Sequence, residues 1–214
     1  MSIGIIGAGE LGSNVARLLA KSGISATIAN SRSRESLAEL VRELGPAITA
    51  GTVEEAARAD VVVVAVRWVD LGKVLGGLPA WNGRIVIDGT NPVAFLDPDS
   101  PDAKDPSNPL AAYGIKAIDL GGRHSSAVFR DFVPGARVIK AFNHFAAALL
   151  PESAVGGGQR VLFYSGDDAD AKAELRKIIE QTGHFPVDLG ALDVGGPLAS
   201  LPFGPLGTIN FVKI

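Results

Sequence analysis

The sequence predicts an α/β fold, a doubly wound and mostly parallel sheet followed by a small C-terminal α/β extension. Short β-branched runs alternate with amphipathic runs at helical spacing along most of the 214 residues. The run VVVVAV at 61–66 is apolar throughout, which is typical of a central parallel strand covered on both faces. The first strand leads through a glycine-rich turn directly into a helix, as expected of a strand–helix–strand unit.

Hydrophobic periodicity, turn residues and helix caps assign the elements in chain order. The predicted strands occupy residues 3–6, 26–29, 47–50, 61–66, 85–88, 138–142 and 161–164. The predicted helices run from Leu11 to a stop at Gly23, from a cap at Ser33 to Gly45, and over 53–59, 69–75, 125–132 and the stretch GDDADAKAELRKIIEQTG. The proline- and aspartate-rich stretch 92–110 predicts an irregular surface excursion. We expect one domain over 1–145 and a small extension over 146–214, with one continuous domain as the alternative.

Composition narrows the classes of function. A formal net charge of −3 favours no general attraction to nucleic acid, and the absence of cysteine excludes thiolate chemistry and disulfides. The apolar run at 61–66 is too short to cross a bilayer, and the start MSIGIIGAGE lacks a basic leader. We therefore expect a cytoplasmic protein with no membrane partner. No histidine or carboxylate spacing indicates a metal site.

The turn after the first strand has the pattern of a dinucleotide-binding site. Gly7, Gly9 and Gly12 form a GxGxxG motif between a strand and an amphipathic helix. Gly7 permits the tight turn, Gly9 lets the backbone approach a pyrophosphate, and Gly12 lets the helix pack closely. A glycine-rich turn in a protein without nucleotide is the alternative.

The residues after the second strand indicate which dinucleotide is bound. NAD-binding members of this fold place an acid there for the ribose 2′-hydroxyl. This chain instead has Asn30, Ser31 and Arg32, with Arg34 two residues on. A guanidinium holds a 2′-phosphate that an acid would repel, so we expect the cofactor to be NADP(H). A solvated basic turn that caps the next helix is the alternative.

The sequence offers little acid–base machinery beyond the dinucleotide site. Its three histidines are His124, His144 and His184, and none belongs to a recognisable catalytic triad. Hydride transfer between two heterocyclic rings needs no strong acid or base, because the protein chiefly orients the rings. Two alternatives remain: NADPH-dependent reduction of a small carbonyl or imine with His144 as proton donor, and a non-catalytic NADPH sensor.

Several segments together resemble the NADPH-dependent coenzyme F420 reductases, which are deazaflavin:NADP oxidoreductases of the Rossmann type. The segments are IGIIGAGELGSNVARLLAKSG, ANSRSRESL, ADVVVVAVRW, IVIDGTNP, ARVIKAFNHF and GHFPVDLGALDVGGPLASL. The resemblance is weakest over 93–124, and the reductase domain of metalloreductases, which pass electrons to flavin and ferric iron, shares the pattern. It implies a homodimer whose second redox partner is coenzyme F420, or FMN or FAD.

The resemblance also implies roles for individual residues. The implied NADP-binding residues are Gly7, Gly9, Glu10, Leu11, Gly12, Asn30, Ser31, Arg32, Arg34, Val66, Arg67, Trp68, Asn91, Pro92, Ala141 and Asn143. The implied acceptor pocket consists of Gly195, Gly196, Pro197 and Leu198. Asn143 and His144 are expected to orient or polarise the reacting groups, with His144 at the mouth of the site. Two departures from the family pattern are Arg67 before Trp68, where proline is common, and His144 after Asn143.

Overall fold

The structure, a computed structural model, describes residues 1–214 and contains twelve strands and seven α-helices. The strands are β1 (Ile3–Ile6), β2 (Ala26–Ala29), β3 (Ile48–Ala50), β4 (Val61–Val64), β5 (Ile85–Asp88), β6 (Val93–Phe95), β7 (Ile115–Ala117), β8 (Arg137–Ala141), β9 (Ala154–Val155), β10 (Gly158–Gly166), β11 (Phe185–Asp188) and β12 (Val212–Lys213). The helices are α1 (Glu10–Lys21), α2 (Ala38–Leu44), α3 (Val53–Ala57), α4 (Leu71–Leu75), α5 (Ser125–Phe132), α6 (Ala169–Gln181) and α7 (Leu192–Ala199). No helix combines the length and apolar composition needed to cross a bilayer.

The main sheet has the strand order β11-β10-β8-β5-β4-β1-β2-β3. The six strands from β8 to β3 are parallel, which is the order of a complete Rossmann sheet. The order reverses between β1 and β4, and ligands bind in the crevice at the carboxyl ends of strands flanking such a point. The predicted fold class is confirmed.

Helices cover both faces of the sheet. Along β4, Val61 and Val63 pack with α1 and α6 on one face, whereas Val62 and Val64 pack with α4, α5 and α7 on the other. All four valines are buried, because alternate side chains point to opposite and equally covered faces. This explains why the strand is a continuous apolar run.

The C-terminal segment continues the same sheet. β10 pairs antiparallel with β8 and parallel with β11, and β9 and β12 pair with the first residues of β10. The predicted boundary between residues 145 and 146 stays a prediction.

Local expectations differ from the structure at several places. The 92–110 excursion is not wholly irregular, since β6 pairs antiparallel with β7 and residues 101–104 form a 3₁₀ turn. The strand partner lies beyond the proline-rich stretch, so local composition does not reveal it. Ser33 does not cap the second helix, which instead begins through a 3₁₀ turn at Glu35–Leu37 without a side-chain cap. Residues 192–199 form α7, a helix that was not predicted because the segment contains two glycines and Pro197.

Candidate functional site

The turn after β1 forms a cradle at the switch point of the sheet. Gly7 has a φ of 107°, and a Cβ there would lie 2.3 Å from the Ala65 carbonyl oxygen. A Cβ on Gly12 would lie 1.8 Å from the Gly7 carbonyl oxygen, so α1 packs directly on the turn. A Cβ on Gly9 would meet nothing within 4 Å. Gly9 also precedes α1 without a side-chain cap, which leaves the first N–H groups of the helix free for an anion.

The loop after β2 borders a cleft of about 450 Å³ above this cradle. Asn30, Ser31 and Arg32 line it together with Gly7 and Gly9. The Asn30 Oδ1 atom accepts the Arg32 N–H at 2.9 Å, so the asparagine shapes the turn that presents Ser31 and Arg32. The Arg32 guanidinium has no ion-pair partner in the chain, and a doubly charged phosphate fits this free cation.

Two cations near this cleft differ from the sequence prediction. Arg34 does not line the cleft, because its guanidinium pairs with Glu55, the residue that closes a capping box with Thr52. Lys73 of α4 lines the cleft and was missed, since its short helix carries no motif that relates it to the glycine turn.

A second cleft of about 290 Å³ continues from the first, and the two share Gly9, Ala65, Val66 and Arg67. Its walls are mostly apolar. The remaining lining residues are Glu10, Leu11, Trp68, Gly89, Asn91, Val93, Phe95, Phe142, Asn143, Phe145, Ala147 and Leu201. Glu10 and Arg67 are its only ionisable side chains, and the Arg67 Nε atom lies 2.9 Å from Asp70 Oδ2.

An amide pair fixes the floor of the second cleft. The chain turns at Phe142, with a φ of 65°, and Asn143 follows. The Asn143 Nδ2 atom donates to Asn91 Oδ1 at 2.9 Å and to the Ala199 carbonyl at 3.2 Å. The Leu201 N–H also donates to Asn91 Oδ1, at 2.9 Å. The buried Asn143 Oδ1 atom therefore faces away from these acceptors and has no hydrogen-bond partner, although buried amide oxygens are normally satisfied.

Comparison with known proteins assigns the family. Residues 2–92 match the family model described as NADP oxidoreductase, coenzyme F420-dependent. A crystal structure named as a candidate F420-dependent NADP-reductase, from Arthrobacter sp. FB24, is 26% identical, with a TM-score of 0.67 over 90% of this chain and 86% of that one. Residues 2–92 of the chain belong to this family.

Two further relatives extend the comparison over the whole chain. The hypothetical protein SMa0349 from Sinorhizobium meliloti is 36% identical, with a TM-score of 0.85 over 100% of this chain and 97% of that one. The metalloreductase STEAP3 of Rattus norvegicus is 25% identical over 203 residues, which is 94% of this chain and 36% of that protein. The chain thus spans about a third of the length of the curated relative it matches.

A buried ion pair lies behind the second cleft. The Lys140 Nζ atom, on β8, lies 2.9 Å from Asp88 Oδ2 at the end of β5, and it also donates to the Thr90 carbonyl. The Asp88 Oδ1 atom accepts the Thr90 N–H at 2.9 Å and its hydroxyl at 2.6 Å. Burial lowers the pKa of Lys140, while Asp88 opposes that shift. This network holds the loop that carries Asn91, and no sequence motif indicated it.

His144 is not at the mouth of the site, and that expectation is wrong. Its ring is 1% exposed and lies between Phe145 and Phe163, with ring centroids 4.6 and 5.0 Å away. The ring does not line either cleft, and burial lowers its pKa to about 4. The backbone turn at Phe142 directs Asn143 to the cleft, and the next side chain enters the core.

The predicted acceptor residues are dispersed. A Cβ on Gly195 would lie 2.5 Å from Ser165 Cβ, and one on Gly196 would lie 3.0 Å from Ser126 Oγ, so both glycines lie in packing contacts of α7. Pro197 and Pro92 line a separate groove of about 540 Å³, whereas Leu198 lines none of the three clefts. Ala141 is buried in β8. From the C-terminal segment, Leu201 reaches the second cleft, a contact for which the sequence gives no periodic signal.

Proposed function

We propose that this member of the NADP oxidoreductase family transfers a hydride between NADP(H) and a deazaflavin or flavin-like ring. The observation that carries the proposal is the lining of the second cleft. It contains Trp68, Phe95, Phe142 and Phe145, the side chain of Asn143, and no histidine, lysine, tyrosine, serine or threonine; Glu10 and Arg67 are its only ionisable side chains. Such walls orient planar rings, and none of the usual histidine, lysine or tyrosine proton donors lies among them.

The two clefts fit the two halves of NADP(H). The free N–H groups at the start of α1 and the open side of Gly9 suit the pyrophosphate. Arg32 and Ser31, with Lys73 nearby, suit the 2′-phosphate. In the second cleft, the side chain of Asn143 suits the nicotinamide carboxamide, since it lines the cleft and its Oδ1 atom has no hydrogen-bond partner within the chain.

Bound NADPH would supply a hydride from its nicotinamide C4, and the acceptor ring would take it with one solvent proton, which gives NADP⁺ and a ring reduced by two electrons. The protein's part is to align the rings and to exclude water between them. Asn143 fixes the carboxamide, and Asn91 fixes Asn143 through the 2.9 Å hydrogen bond. The apolar side chains of Leu11 and Leu201 close the remaining walls.

The first test is NADPH oxidation with coenzyme F420, FMN, FAD and a ferric chelate presented in turn. Turnover with a ring acceptor supports the proposal. Turnover with the ferric chelate alone contradicts the proposal and favours a metal reductase. NADPH binding without oxidation by any acceptor also contradicts it, and favours either the reductase of a small carbonyl or imine or the sensor.

A pair of variants tests the geometry. Asn143→Ala removes the carboxamide partner and is expected to lower kcat by roughly tenfold or more. His144→Phe keeps an aromatic ring in the core and is expected to leave kcat within about twofold, provided the variant keeps its fold by circular dichroism. Loss of activity with small carbonyl substrates in His144→Phe would instead support the carbonyl or imine reductase. The homodimer implied by the resemblance stays a prediction.

A further inference from the structure

We infer that the Arg67 guanidinium binds the pyrophosphate of NADP(H), and that the Asp70 carboxylate competes with the pyrophosphate for this guanidinium. The inference rests on the proposed function and specifies how the dinucleotide is held. In the chain without cofactor, Arg67 pairs with Asp70. When the cofactor binds, the guanidinium exchanges its carboxylate partner for a phosphate, so the affinity for NADP(H) is lower than a free guanidinium would give.

Arg67 lies where the two clefts meet. The clefts share Gly9, Ala65, Val66 and Arg67, and only the arginine has a side chain that can donate a hydrogen bond. The pyrophosphate links the adenosine half of NADP(H) to the nicotinamide half, so it has to cross this junction. The free N–H groups at the start of α1 suit the pyrophosphate on the Gly9 side. Arg67, in the loop after β4, supplies the cation at the same junction.

Asp70 is a carboxylate in a cleft that otherwise suits anions. It is the only acidic side chain in the lining of the nucleotide cleft, to which Arg32 and Lys73 contribute positive charge. Its partner is Arg67, whose Nε atom donates to Asp70 Oδ2 at 2.9 Å. The two residues are three positions apart, and the Asp70 N–H donates to the Arg67 carbonyl at 3.0 Å. This 3₁₀ turn keeps the carboxylate within reach of the guanidinium.

The ion pair is of a kind that a phosphate can displace. The side chains of Arg67 and Asp70 are 64% and 35% exposed, and exposed ion pairs contribute little because water screens them. Only the Nε atom of the guanidinium is engaged, whereas a phosphate accepts two parallel hydrogen bonds from an arginine and carries more charge. Trp68 and Leu71 are buried beside the pair, so the backbone stays in place and the Arg67 side chain alone rotates.

Two ligands separate the pyrophosphate from the rest of the cofactor. 2′-Phospho-ADP-ribose carries the 2′-phosphate and the pyrophosphate without nicotinamide, whereas adenosine 2′-monophosphate carries the 2′-phosphate alone. Calorimetry measures the Kd of each for the full native chain, Arg67→Gln, Asp70→Asn and the double variant. Asp131→Asn is the control, because it also removes a carboxylate from an exposed pair, the one with Arg123, but lines neither cleft.

The expected changes follow from the exchange of partners. Arg67→Gln weakens 2′-phospho-ADP-ribose by about tenfold and adenosine 2′-monophosphate by less than about twofold. Asp70→Asn tightens 2′-phospho-ADP-ribose by about threefold to tenfold, and in the Arg67→Gln background this gain falls to about twofold or less. Asp131→Asn changes either Kd by less than about twofold, because its charge is distant and screened.

Several results would overturn the inference and leave the proposed function intact. One is an equal effect of Arg67→Gln on both ligands, or no effect on either. Another is an Asp70→Asn variant whose affinity for 2′-phospho-ADP-ribose is unchanged or lower. A third is an equal gain from Asp70→Asn with and without Arg67, since the carboxylate would then act by repulsion alone. If the native chain binds neither 2′-phospho-ADP-ribose nor NADPH, the inference and the proposed function fail together.

Discussion

Replacing Lys140 by Met removes one half of the buried ion pair behind the second cleft. The Nζ atom donates to Asp88 and to the Thr90 carbonyl, and the side chain is 1% exposed. Methionine is apolar and nearly as long as the aliphatic part of lysine, so the variant creates little cavity. It leaves the Asp88 carboxylate buried without a counterion.

The expected cost is set by that carboxylate. Breaking a buried pair by removing one partner costs about 3–5 kcal/mol. For a chain of this size, that loss lowers Tm by roughly 10 °C. Two hydrogen bonds from Thr90 remain on Asp88 Oδ1, which places the expected value near the lower end, about 3 kcal/mol.

Urea unfolding of four proteins measures this effect: the native chain, Lys140→Met, Asp88→Asn and the double variant. The double variant is expected to recover part of the loss, because the neutral amide introduced by Asp88→Asn can still accept the Thr90 N–H and leaves no buried charge. KM for NADPH is expected to rise in Lys140→Met, since Thr90 precedes Asn91 in the loop that the pair fixes. A loss below about 1 kcal/mol, or additive effects in the cycle, would refute the reasoning.

Three further outcomes are expected. Arg32→Ala is expected to lower the NADPH-to-NADH affinity ratio by roughly tenfold or more, whereas Arg34→Ala changes that ratio little because Arg34 pairs with Glu55. Isothermal titration of both variants with NADPH and NADH measures the ratios, and equal effects would contradict the assignment of Arg32 to the 2′-phosphate. Gly12→Ala is expected to destabilise the chain by about 3 kcal/mol, since its Cβ would lie 1.8 Å from the Gly7 carbonyl oxygen. Gly9→Ala is expected to keep the free energy of unfolding within about 0.5 kcal/mol and to weaken NADPH binding. Thermal unfolding and NADPH titration measure the two effects, and an equal loss of stability in both variants would contradict the separate roles of the two glycines. Burial lowers the pKa of both His144 and His184 to about 4 from an ordinary value of 6.5. Between pH 6.5 and pH 4 the unfolded chain therefore binds more protons than the folded chain, and the free energy of unfolding falls as the pH is lowered, by about 3 kcal/mol for His144. Urea unfolding across this range should show a weaker pH dependence in His144→Phe, and an unchanged pH dependence would contradict the reasoning.

Sequence reasoning succeeded where function depends on local patterns. Three local features were predicted: the apolar run Ile3–Ile6, the valines of β4 and the glycines of the turn. The physical causes of these features act within a few residues of the chain. Proximity of Asn91 to Asn143 was expected from the resemblance, and the structure brings them within hydrogen-bonding distance.

It failed where the deciding contact is distant in the chain. α7 is helical although it contains Pro197, because its glycines pack on β10 and α5. The β6–β7 pair joins residues about twenty positions apart across a proline-rich stretch. The burial of His144 depends on Phe163 of β10, and the partner of Arg34 is Glu55 of α3. Neither partner is marked by spacing or composition.

The antiparallel direction of β10 has a practical consequence for handling the protein. Its first residues extend past the end of β8 at the carboxyl edge of the sheet, where Lys213 pairs with Gln159. Ser2 lies at the opposite edge, hydrogen-bonded to Asp60 before β4. A surface tether joined to Met1 is therefore attached at the edge of the sheet opposite the two clefts, whereas one joined to Ile214 is attached at the same edge as the clefts.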